Sequence, residues 1–341
     1  MKYAISFVVL LAIYLYLSWL NGWFPFITAE EKQAQSDIAN LPTAPAFTKA
    51  DRILIFSPHP DDESLSCGGS VAEAIAAGAQ VYICWMCAGD GFALDADLLK
   101  DRHQLPDTTS SGLMYDLGVM RLQEARNAGA VLGVPADHLF LMGYGDSTLT
   151  QMFTYPDSLV TSGYTLKNKG PYANTISFNQ DYRGTNVQSH VHTLIDSLNP
   201  TIVYAPAPLD SNYDHQATSF FVIKALQSMG QLHLMRNYIV HGGDYNISIA
   251  NISEYPIPHD LHMDMALNQP PVGKGYNWTK TLLQPNNETT KNNAISAHVS
   301  QMEIMSGFLQ AFVRTNELYA LLDTTTQLGL PRQYYFHPDK H

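Results

Sequence analysis

The stretch "ILIFSPHPDDESLSCGG", residues 53–69, decides the fold. An apolar run suited to a buried strand is followed at once by His59, Asp61, Asp62 and Glu63, and then by two glycines. Adjacent carboxylates repel one another, so we expect positive charge beside them. One interpretation is an acidic helix start with an Asp cap. The other is half of a metal site at the carboxyl end of a strand, where open α/β sheets place their chemistry. Only the second accounts for the histidine.

Composition limits the class of protein. The chain has 341 residues, of which 45% are hydrophobic, so it is long enough to bury a sizeable core. Its formal net charge is −12, which argues against a nucleic-acid-binding surface. We therefore expect no nucleic-acid partner.

The spacing of Cys84 and Cys87 in "CWMC" is that of a redox motif. The motif lies inside a pattern typical of a strand, where residues three apart point to opposite faces. We therefore predict buried thiols instead of a disulfide.

The N-terminus predicts a membrane anchor. Residues 3–20 form an almost unbroken apolar run, and with the aromatic flank the segment reaches the ~20 residues that span a bilayer. We predict an uncleaved transmembrane signal-anchor over residues 1–28, with secretion after signal cleavage as the alternative. Lys2 precedes the run and Glu30 and Glu31 follow it. The positive-inside rule then places the rest of the chain on the periplasmic, extracellular or lumenal side.

Strands and helices alternate after this segment. Residues 29–50 read as a linker or wrapping segment, residues 51–330 as one α/β domain and residues 331–341 as a tail. The predicted strands are 52–57, 80–87, 138–142 and 201–205, and the predicted helices are 69–77, 118–132, 186–198, 215–229 and 293–315. Such alternation predicts a mostly parallel sheet with helices on both faces, a Rossmann-like three-layer sandwich. The long polar loops over 89–117 and 143–185 are predicted to be functional.

A second polar cluster follows the strand at 201–205. The stretch "APAPLDSNYDHQATSFF", residues 205–221, offers Asp210, Asp214 and His215 before a helix. Because it lies at the carboxyl edge of the same sheet, it predicts the other half of a three-ligand metal site. The alternative for His215 is a histidine that touches solvent at a helix start.

These motifs resemble those of a known family. "SPHPDDESLSCGG" together with "YDHQAT" is similar to the zinc-dependent N-deacetylases of the LmbE / PIG-L family, which remove acetyl groups from N-acetylglucosamine derivatives. The weaker stretches "RLQEARNAGAVLGV" (residues 121–134), "LMGYGD" (141–146) and "KNNAISAHVSQ" (291–301) resemble later family motifs and occur in the same order. The resemblance implies a hydrolase that acts on an N-acetylated sugar or glycoconjugate.

The resemblance also implies roles for the motif residues. His59, Asp62 and His215 are the implied zinc ligands, and Asp61 is the implied general base. Two imidazoles and one carboxylate leave a fourth position for water, as in catalytic zinc sites. Zn²⁺ is therefore the expected cofactor.

Four further residues have implied roles around this centre. Glu63 and Asp214 are expected to support the ligands, and Arg121 and Asp146 are expected to hold sugar hydroxyls. The expected partners are a substrate with an N-acetyl group and, through the N-terminal helix, a membrane.

One position departs from the family pattern H-x-D-H. Its first residue here is Asn212, which takes the place of a histidine with a catalytic role. An amide can donate a hydrogen bond to an oxyanion, but it cannot act as an acid. Either Asp61 moves the proton alone, or another histidine substitutes; the candidates are His190, His192, His241 and His298. Two alternatives to an amino-sugar deacetylase therefore stay open, namely a weakly active or non-catalytic carbohydrate- or metal-binding member of the fold and a zinc amidase for a non-sugar acetamide.

Overall fold

The computed structural model describes residues 29–92, 99–100, 102–106, 109–242, 266–273 and 275–321. The predicted anchor over residues 1–28 and all residues beyond 321, including the predicted tail, lie outside the described residues. Within the described ranges, no helix combines the length and the apolar content that a membrane span requires.

A single seven-stranded sheet organises the domain. The strands are β1 (Arg52–Ser57), β2 (Gln80–Cys87), β3 (Leu139–Tyr144), β4 (Ile202–Pro206), β5 (Met235–Tyr238), β6 (Trp278–Leu282) and β7 (Asn316–Leu321). Their spatial order is β3-β2-β1-β4-β5-β7-β6. The strands from β3 to β5 in this order run parallel, whereas β7 is antiparallel to both β5 and β6. The mostly parallel sheet agrees with the sequence prediction, and its first part has the doubly wound order.

The helices mostly confirm the predicted positions and extend them. They are α1 (Ala29–Ala39), α2 (Asp62–Ala76), α3 (Ser110–Val131), α4 (Leu149–Thr154), α5 (Gly184–Leu198), α6 (Tyr213–Ser228), α7 (Pro285–Ser296) and α8 (Val299–Gln310). Helix α2 begins earlier than predicted because its acidic residues occupy the first turn, where a helix favours negative charge. The single helix predicted over 293–315 is wrong: the chain leaves helical geometry at His298, between α7 and α8.

Helices cover both faces of the sheet. Ile53 and Ile55 of β1 pack into a core cluster with residues of α2, α3 and α7. Leu54 and Phe56 point the other way, into a cluster with residues of α4, α5 and α6. All four β1 side chains are almost fully buried, and each such burial contributes ~1.5–3 kcal/mol. The period-two alternation of one strand thus creates the three-layer arrangement.

The segment before β1 wraps on the domain. Ile38 of α1 is buried in the first core cluster. The ammonium group of Lys280 donates hydrogen bonds to the carbonyl oxygens of Ile38 and Ala39 at 2.9 and 2.7 Å. Thr43 forms an isolated bridge with the same lysine. Of the two interpretations of residues 29–50, the structure therefore shows a wrapping segment.

The two glycines of the opening stretch permit a close approach to α2. A Cβ at Gly69 would lie 2.3 Å from a side-chain atom of Leu283, and one at Gly68 would lie 3.1 Å from Lys291. The Lys291 ammonium lies 2.7 Å from the Glu317 carboxylate of β7, and both side chains are fully buried. The same carboxylate accepts a hydrogen bond from the Gly69 amide at 2.8 Å. These contacts fix α2 against the C-terminal strands.

The cysteines are buried free thiols, as predicted. Cys84 and Cys87 belong to the same core cluster, as does Met86 between them, and their predicted placement on opposite faces stays a prediction. The register of β2 against β3 shifts between Trp85 and Cys87. Two steps along β2 match three steps along β3, from Leu141 to Tyr144, so the extra residue lies in β3.

Candidate active site

The two polar motifs meet at the carboxyl edge of the sheet. Strands β1 and β4 are parallel neighbours, and each is followed by a loop that leads into a helix. His59 lies in the first loop and His215 in the first turn of α6. Their ring centroids are 5.3 Å apart. The structure therefore joins the two halves of the site predicted from the sequence.

Both imidazoles face the same carboxylate oxygen. Asp62 Oδ2 lies 3.3 Å from His59 Nδ1 and 3.0 Å from His215 Nε2. It also accepts a hydrogen bond from the backbone amide of His59 at 2.9 Å. One ligand atom from each of the three residues lies within 4.8 Å of the others, an arrangement that can hold a metal ion.

Each imidazole has a second carboxylate at its other nitrogen. His59 Nε2 lies 3.3 Å from Asp214 Oδ2, and His215 Nδ1 lies 3.2 Å from Asp210 Oδ2. Carboxylates in this position orient metal-binding histidines and raise their basicity. Asp214 has the supporting position predicted for it. Asp210 was a candidate ligand in the sequence, and the structure places it behind His215.

The electrostatics of the group favour a cation. Burial lowers the pKa of His215, but Asp210 and Asp62 outweigh burial and raise it to about 9. Burial raises the pKa of Asp62, but the two imidazoles outweigh burial and hold it well below its usual value. Within the described ranges, fully buried His215 also lacks a hydrogen-bond partner of good geometry at either ring nitrogen. Two nitrogens and one carboxylate oxygen are donors that zinc prefers, so these residues fit Zn²⁺.

Asp61 lies beside this group on a strained backbone. Its φ of 126° is in the region that favours glycine, and such strain costs ~1–3 kcal/mol and concentrates at functional sites. Its carboxylate lies 3.0 Å from the Arg121 guanidinium. Burial raises the pKa of Asp61 to about 7, against the opposing effect of Arg121. A carboxylate that titrates near neutral pH suits a general base.

Glu63 is held entirely by protein groups. Its carboxylate accepts hydrogen bonds from Trp85 Nε1 at 2.6 Å, Ser64 Oγ at 2.7 Å and Ser57 Oγ at 3.2 Å, and it lies 3.2 Å from His298 Nε2. Burial raises the pKa of Glu63, but His298, Ser64 and Trp85 outweigh burial and lower it. The structure thus places Glu63 behind the ligand group, and its supporting role stays a prediction. The sequence patterns did not identify its partner Trp85.

The predicted sugar-binding residues are engaged with the protein. Arg121 contacts Asp61 and donates to the Gly89 carbonyl at 3.0 Å. The Asp146 carboxylate accepts hydrogen bonds from the amides of Gly89 and Gly91, both at 2.9 Å. The structure thus places both residues near the site and shows other contacts for them. Their role in sugar binding stays a prediction.

Asn212 caps helix α6. Its side-chain oxygen accepts hydrogen bonds from the amides of Asp214 at 2.8 Å and His215 at 3.4 Å. An Asn in this position satisfies amides that a helix start leaves without partners. The residue that departs from the family pattern therefore has a structural function, whatever its part in catalysis.

Among the four substitute histidines, His241 lies nearest to the ligand group. Its ring packs edge-on against His215 with centroids 4.8 Å apart. His298 instead contacts Glu63, and His190 contacts Tyr144 at 3.0 Å. The exposed His192 lines a separate cavity of about 450 Å³, and none of the three predicted zinc ligands lines it.

Comparisons with known proteins agree with the motifs. Residues 54–226 match the family described as PIG-L: GlcNAc-PI de-N-acetylase. A 1D-myo-inositol 2-acetamido-2-deoxy-alpha-D-glucopyranoside deacetylase of Actinosynnema mirum is 36% identical over 99 residues, which are 29% of this chain and 32% of that protein. The diacetylchitobiose deacetylase of Thermococcus kodakarensis is 22% identical over 201 residues, 58% of this chain and 57% of that one. The chain thus spans about a third of the first relative's length and little more than half of the second's.

A solved structure shares the fold. The crystal structure of the antimicrobial reagent A40926 pseudoaglycone deacetylase aligns with a TM-score of 0.51 at 17% identity, over 80% of this chain and 96% of that one. At this identity the likeness concerns the fold alone. The family match covers both halves of the site and about half of the chain, and so the chain belongs to the PIG-L family.

Proposed function

We propose that this chain is a zinc-dependent N-deacetylase that hydrolyses the acetamide of an N-acetylated amino sugar or its glycoconjugate. The observation that carries the proposal is the approach of His59 and His215 to one oxygen of Asp62, with buried Asp61 beside them. Family membership and relatives named as deacetylases of acetamido sugars support the substrate class.

Different residues of the chain would hold the ion and move the proton. His59, Asp62 and His215 would hold the ion, which when bound supplies a Lewis acid and a water of lowered pKa. Asp61 takes the proton from the attacking water and returns it to the departing amine. General-base catalysis of this kind is typically worth ~10²–10⁴-fold in rate. Arg121 fixes the Asp61 carboxylate and opposes the rise that burial causes in its pKa.

The Asn212 side chain can donate a hydrogen bond but cannot act as an acid. Its side-chain oxygen is occupied by the cap, which leaves its NH₂ group to donate toward an oxyanion. Such a donor typically contributes ~3–4 kcal/mol. It supplies no proton, so the proton balance in this proposal rests on Asp61.

The same observation favours a second candidate function. A cap residue in place of a catalytic histidine is also what a weakly active or non-catalytic carbohydrate- or metal-binding protein of this fold would carry. A zinc amidase for a non-sugar acetamide would use the same ligands and the same base, so only its substrate differs.

One experiment separates these candidates. The full-length protein with one equivalent of zinc is assayed for acetate release from a panel of N-acetylglucosamine conjugates and simple acetamides, beside Asp61→Asn. We expect release from the sugar conjugates that Asp61→Asn abolishes. Release from the acetamides alone would favour the amidase. Binding of sugars without release would favour the non-catalytic protein.

We also propose that residues 1–28 anchor the chain in a membrane, with the deacetylase domain outside the cytoplasm. The apolar run at residues 3–20 and the charge order around it support this. The intact chain should fractionate with membranes and be cleaved by protease added from the outer side. Protection from that side would reject the orientation.

A further inference from the structure

A second group of ligand atoms lies next to the predicted zinc ligands. One ligand atom each from His59, Cys87 and Asp214 lies within 4.8 Å of the others. Cys87 and Asp214 are buried, whereas the His59 side chain keeps 13% of its surface exposed. The group combines sulfur, nitrogen and oxygen donors, and its partly exposed histidine leaves it open to solvent on one side.

The two groups use different nitrogens of one imidazole. His59 Nδ1 faces Asp62 at 3.3 Å, and Nε2 faces Asp214 at 3.3 Å. Asp214 Oδ1 is buried and has no hydrogen-bond partner within the described part of the chain. A buried acceptor left unsatisfied costs ~1–3 kcal/mol, so this oxygen points to a ligand that the polypeptide does not supply.

The backbone directs Cys87 into this group. Cys87 is the last residue of β2 and pairs with Tyr144 of β3, so it lies at the carboxyl edge of the sheet, where the loops after β1 and β4 also lie. Its sulfur lies 3.6 Å from the Gly145 carbonyl oxygen, to which the thiol can donate a weak hydrogen bond. Among the charges that act on the sulfur are those of Asp214 and Asp146, and negative surroundings favour a cation.

We propose that His59, Cys87 and Asp214 form a second site for a thiophilic divalent cation such as Zn²⁺ or Cd²⁺. Thiolate, imidazole and carboxylate are donors that both ions accept. On binding, two protons leave to solvent, that of the Cys87 thiol and that of His59 Nε2, because His59 Nδ1 would already hold the first ion. The second ion then takes the thiolate and the imidazolate nitrogen.

Binding of an ion at this second site should affect the site formed by His59, Asp62 and His215. The ion competes with Asp214 for His59 Nε2 and so removes the carboxylate that orients the ring. Excess zinc should therefore inhibit the enzyme. This consequence rests on the proposed function, whereas binding of the cation does not.

Cadmium tests the site without an activity assay. The full-length protein, stripped by chelator and loaded with one equivalent of Zn²⁺, is titrated with Cd²⁺ while ultraviolet thiolate-to-cadmium charge-transfer absorption is recorded. We expect the band in the wild type and in the matched control Cys84→Ser, and its loss in Cys87→Ser. A wild type without the band, or a band that survives Cys87→Ser, overturns the proposal.

A second variant and a second measurement complete the test. Asp214→Asn should weaken Cd²⁺ binding by ~10-fold or more, and wild-type affinity in this variant would reject the ligand set. Cys87→Ser should also require ~10-fold more Zn²⁺ for half-inhibition of acetate release than the wild type. If the wild type releases no acetate, the proposed function fails while the cadmium titration still decides the second site.

Discussion

Two loops build the site, and they differ in strain. The loop after β1 places Asp61 at φ 126° immediately before α2, and the Asp61 side chain does not cap that helix. The loop after β4 ends at Asn212 in an extended conformation, and its side chain caps α6. Both loops leave parallel neighbours in the sheet and both deliver a histidine. Backbone strain is thus confined to the loop that also carries the base.

The difference follows from what each loop has to present. The first loop brings the proposed ligands His59 and Asp62 together and turns Asp61 toward Arg121 within four consecutive positions. The second presents His215 from the first turn of a helix whose start is capped. Changes at Asp61 should therefore act on the chemistry alone, whereas changes at the proposed ligands of either loop should act on metal binding.

The largest expected effect is that of His59→Ala. The substitution removes a ligand of the shared ion, so the protein should lose both bound zinc and acetate release. Metal content measured by mass spectrometry and an acetate assay check this, with exposed His192→Ala as the control. A His59→Ala protein that retains a full equivalent of zinc would refute the ligand assignment.

Asp61→Asn should separate chemistry from metal binding. The variant should keep its zinc, because Asp61 contacts Arg121 instead of the ligand group. Its kcat should fall by ~10²–10⁴-fold, the usual cost of losing a general base. Full activity in Asp61→Asn would reject the mechanism.

In the second loop, Asp210→Asn should weaken zinc binding by ~10–100-fold, because the carboxylate behind His215 is lost. Asparagine keeps only one of the two oxygens that accept hydrogen bonds from the backbone amides of Asn212, Val240 and His241, so the free energy of unfolding should also fall. Activity should return at high zinc. A competition titration with a chelator measures the affinity, and Asp181→Asn on the surface is the control. Unchanged affinity would show that Asp210 has only a structural role.

Arg121→Met should change the pH dependence. Arg121 opposes the rise that burial causes in the pKa of Asp61, so its removal should raise that pKa further. A base must be deprotonated, and therefore the acidic limb of the kcat/KM profile should move to higher pH. At a pH below the pKa of Asp61, each unit by which that pKa rises should lower kcat/KM about ten-fold, because the deprotonated fraction of the carboxylate falls ten-fold. The control is Arg126→Met on the same helix, which should leave the profile in place. Movement of the limb to lower pH would contradict the assignment.

The features of the fold that depend on local sequence patterns were predicted from the sequence. Apolar runs located β1 to β4, and motif order brought His59 and His215 to one edge. The sequence did not predict β5, β6 and β7; the pairing of β6 and β7 depends on contacts between distant parts of the chain, such as that of Glu317 with α2. It also did not predict the extra residue of β3 between Leu141 and Tyr144, because no residue pattern announces a bulge that depends on the neighbouring strand.

The supporting contacts of the site were hidden for the same reason. Trp85 and His298 reach Glu63 across 22 and 235 positions of the chain, so spacing within a motif cannot reveal them. Asn212 is the opposite case, because the sequence showed the residue but not its structural function. Its departure from the family pattern was visible in the sequence, but its function as a cap required the structure of α6.

The smallest expected effect concerns Asn212 itself, and it tests whether the relaxed loop has a part in the chemistry. Asn212→His loses the cap oxygen, so its free energy of unfolding should fall by ~1 kcal/mol, whereas Asn212→Asp keeps the cap and should not lose this amount. If Asn212 is a weak oxyanion donor in an otherwise ordinary site, the new imidazole should raise kcat or leave it unchanged. That is the result we expect from denaturant unfolding combined with single-turnover acetate release. A fall in kcat beyond that of Asn212→Asp would mean that another group has taken the role and is crowded by the new ring. His241, with its ring 4.8 Å from that of His215, is then the residue to replace, and His241→Ala should lose activity while it keeps the cap intact.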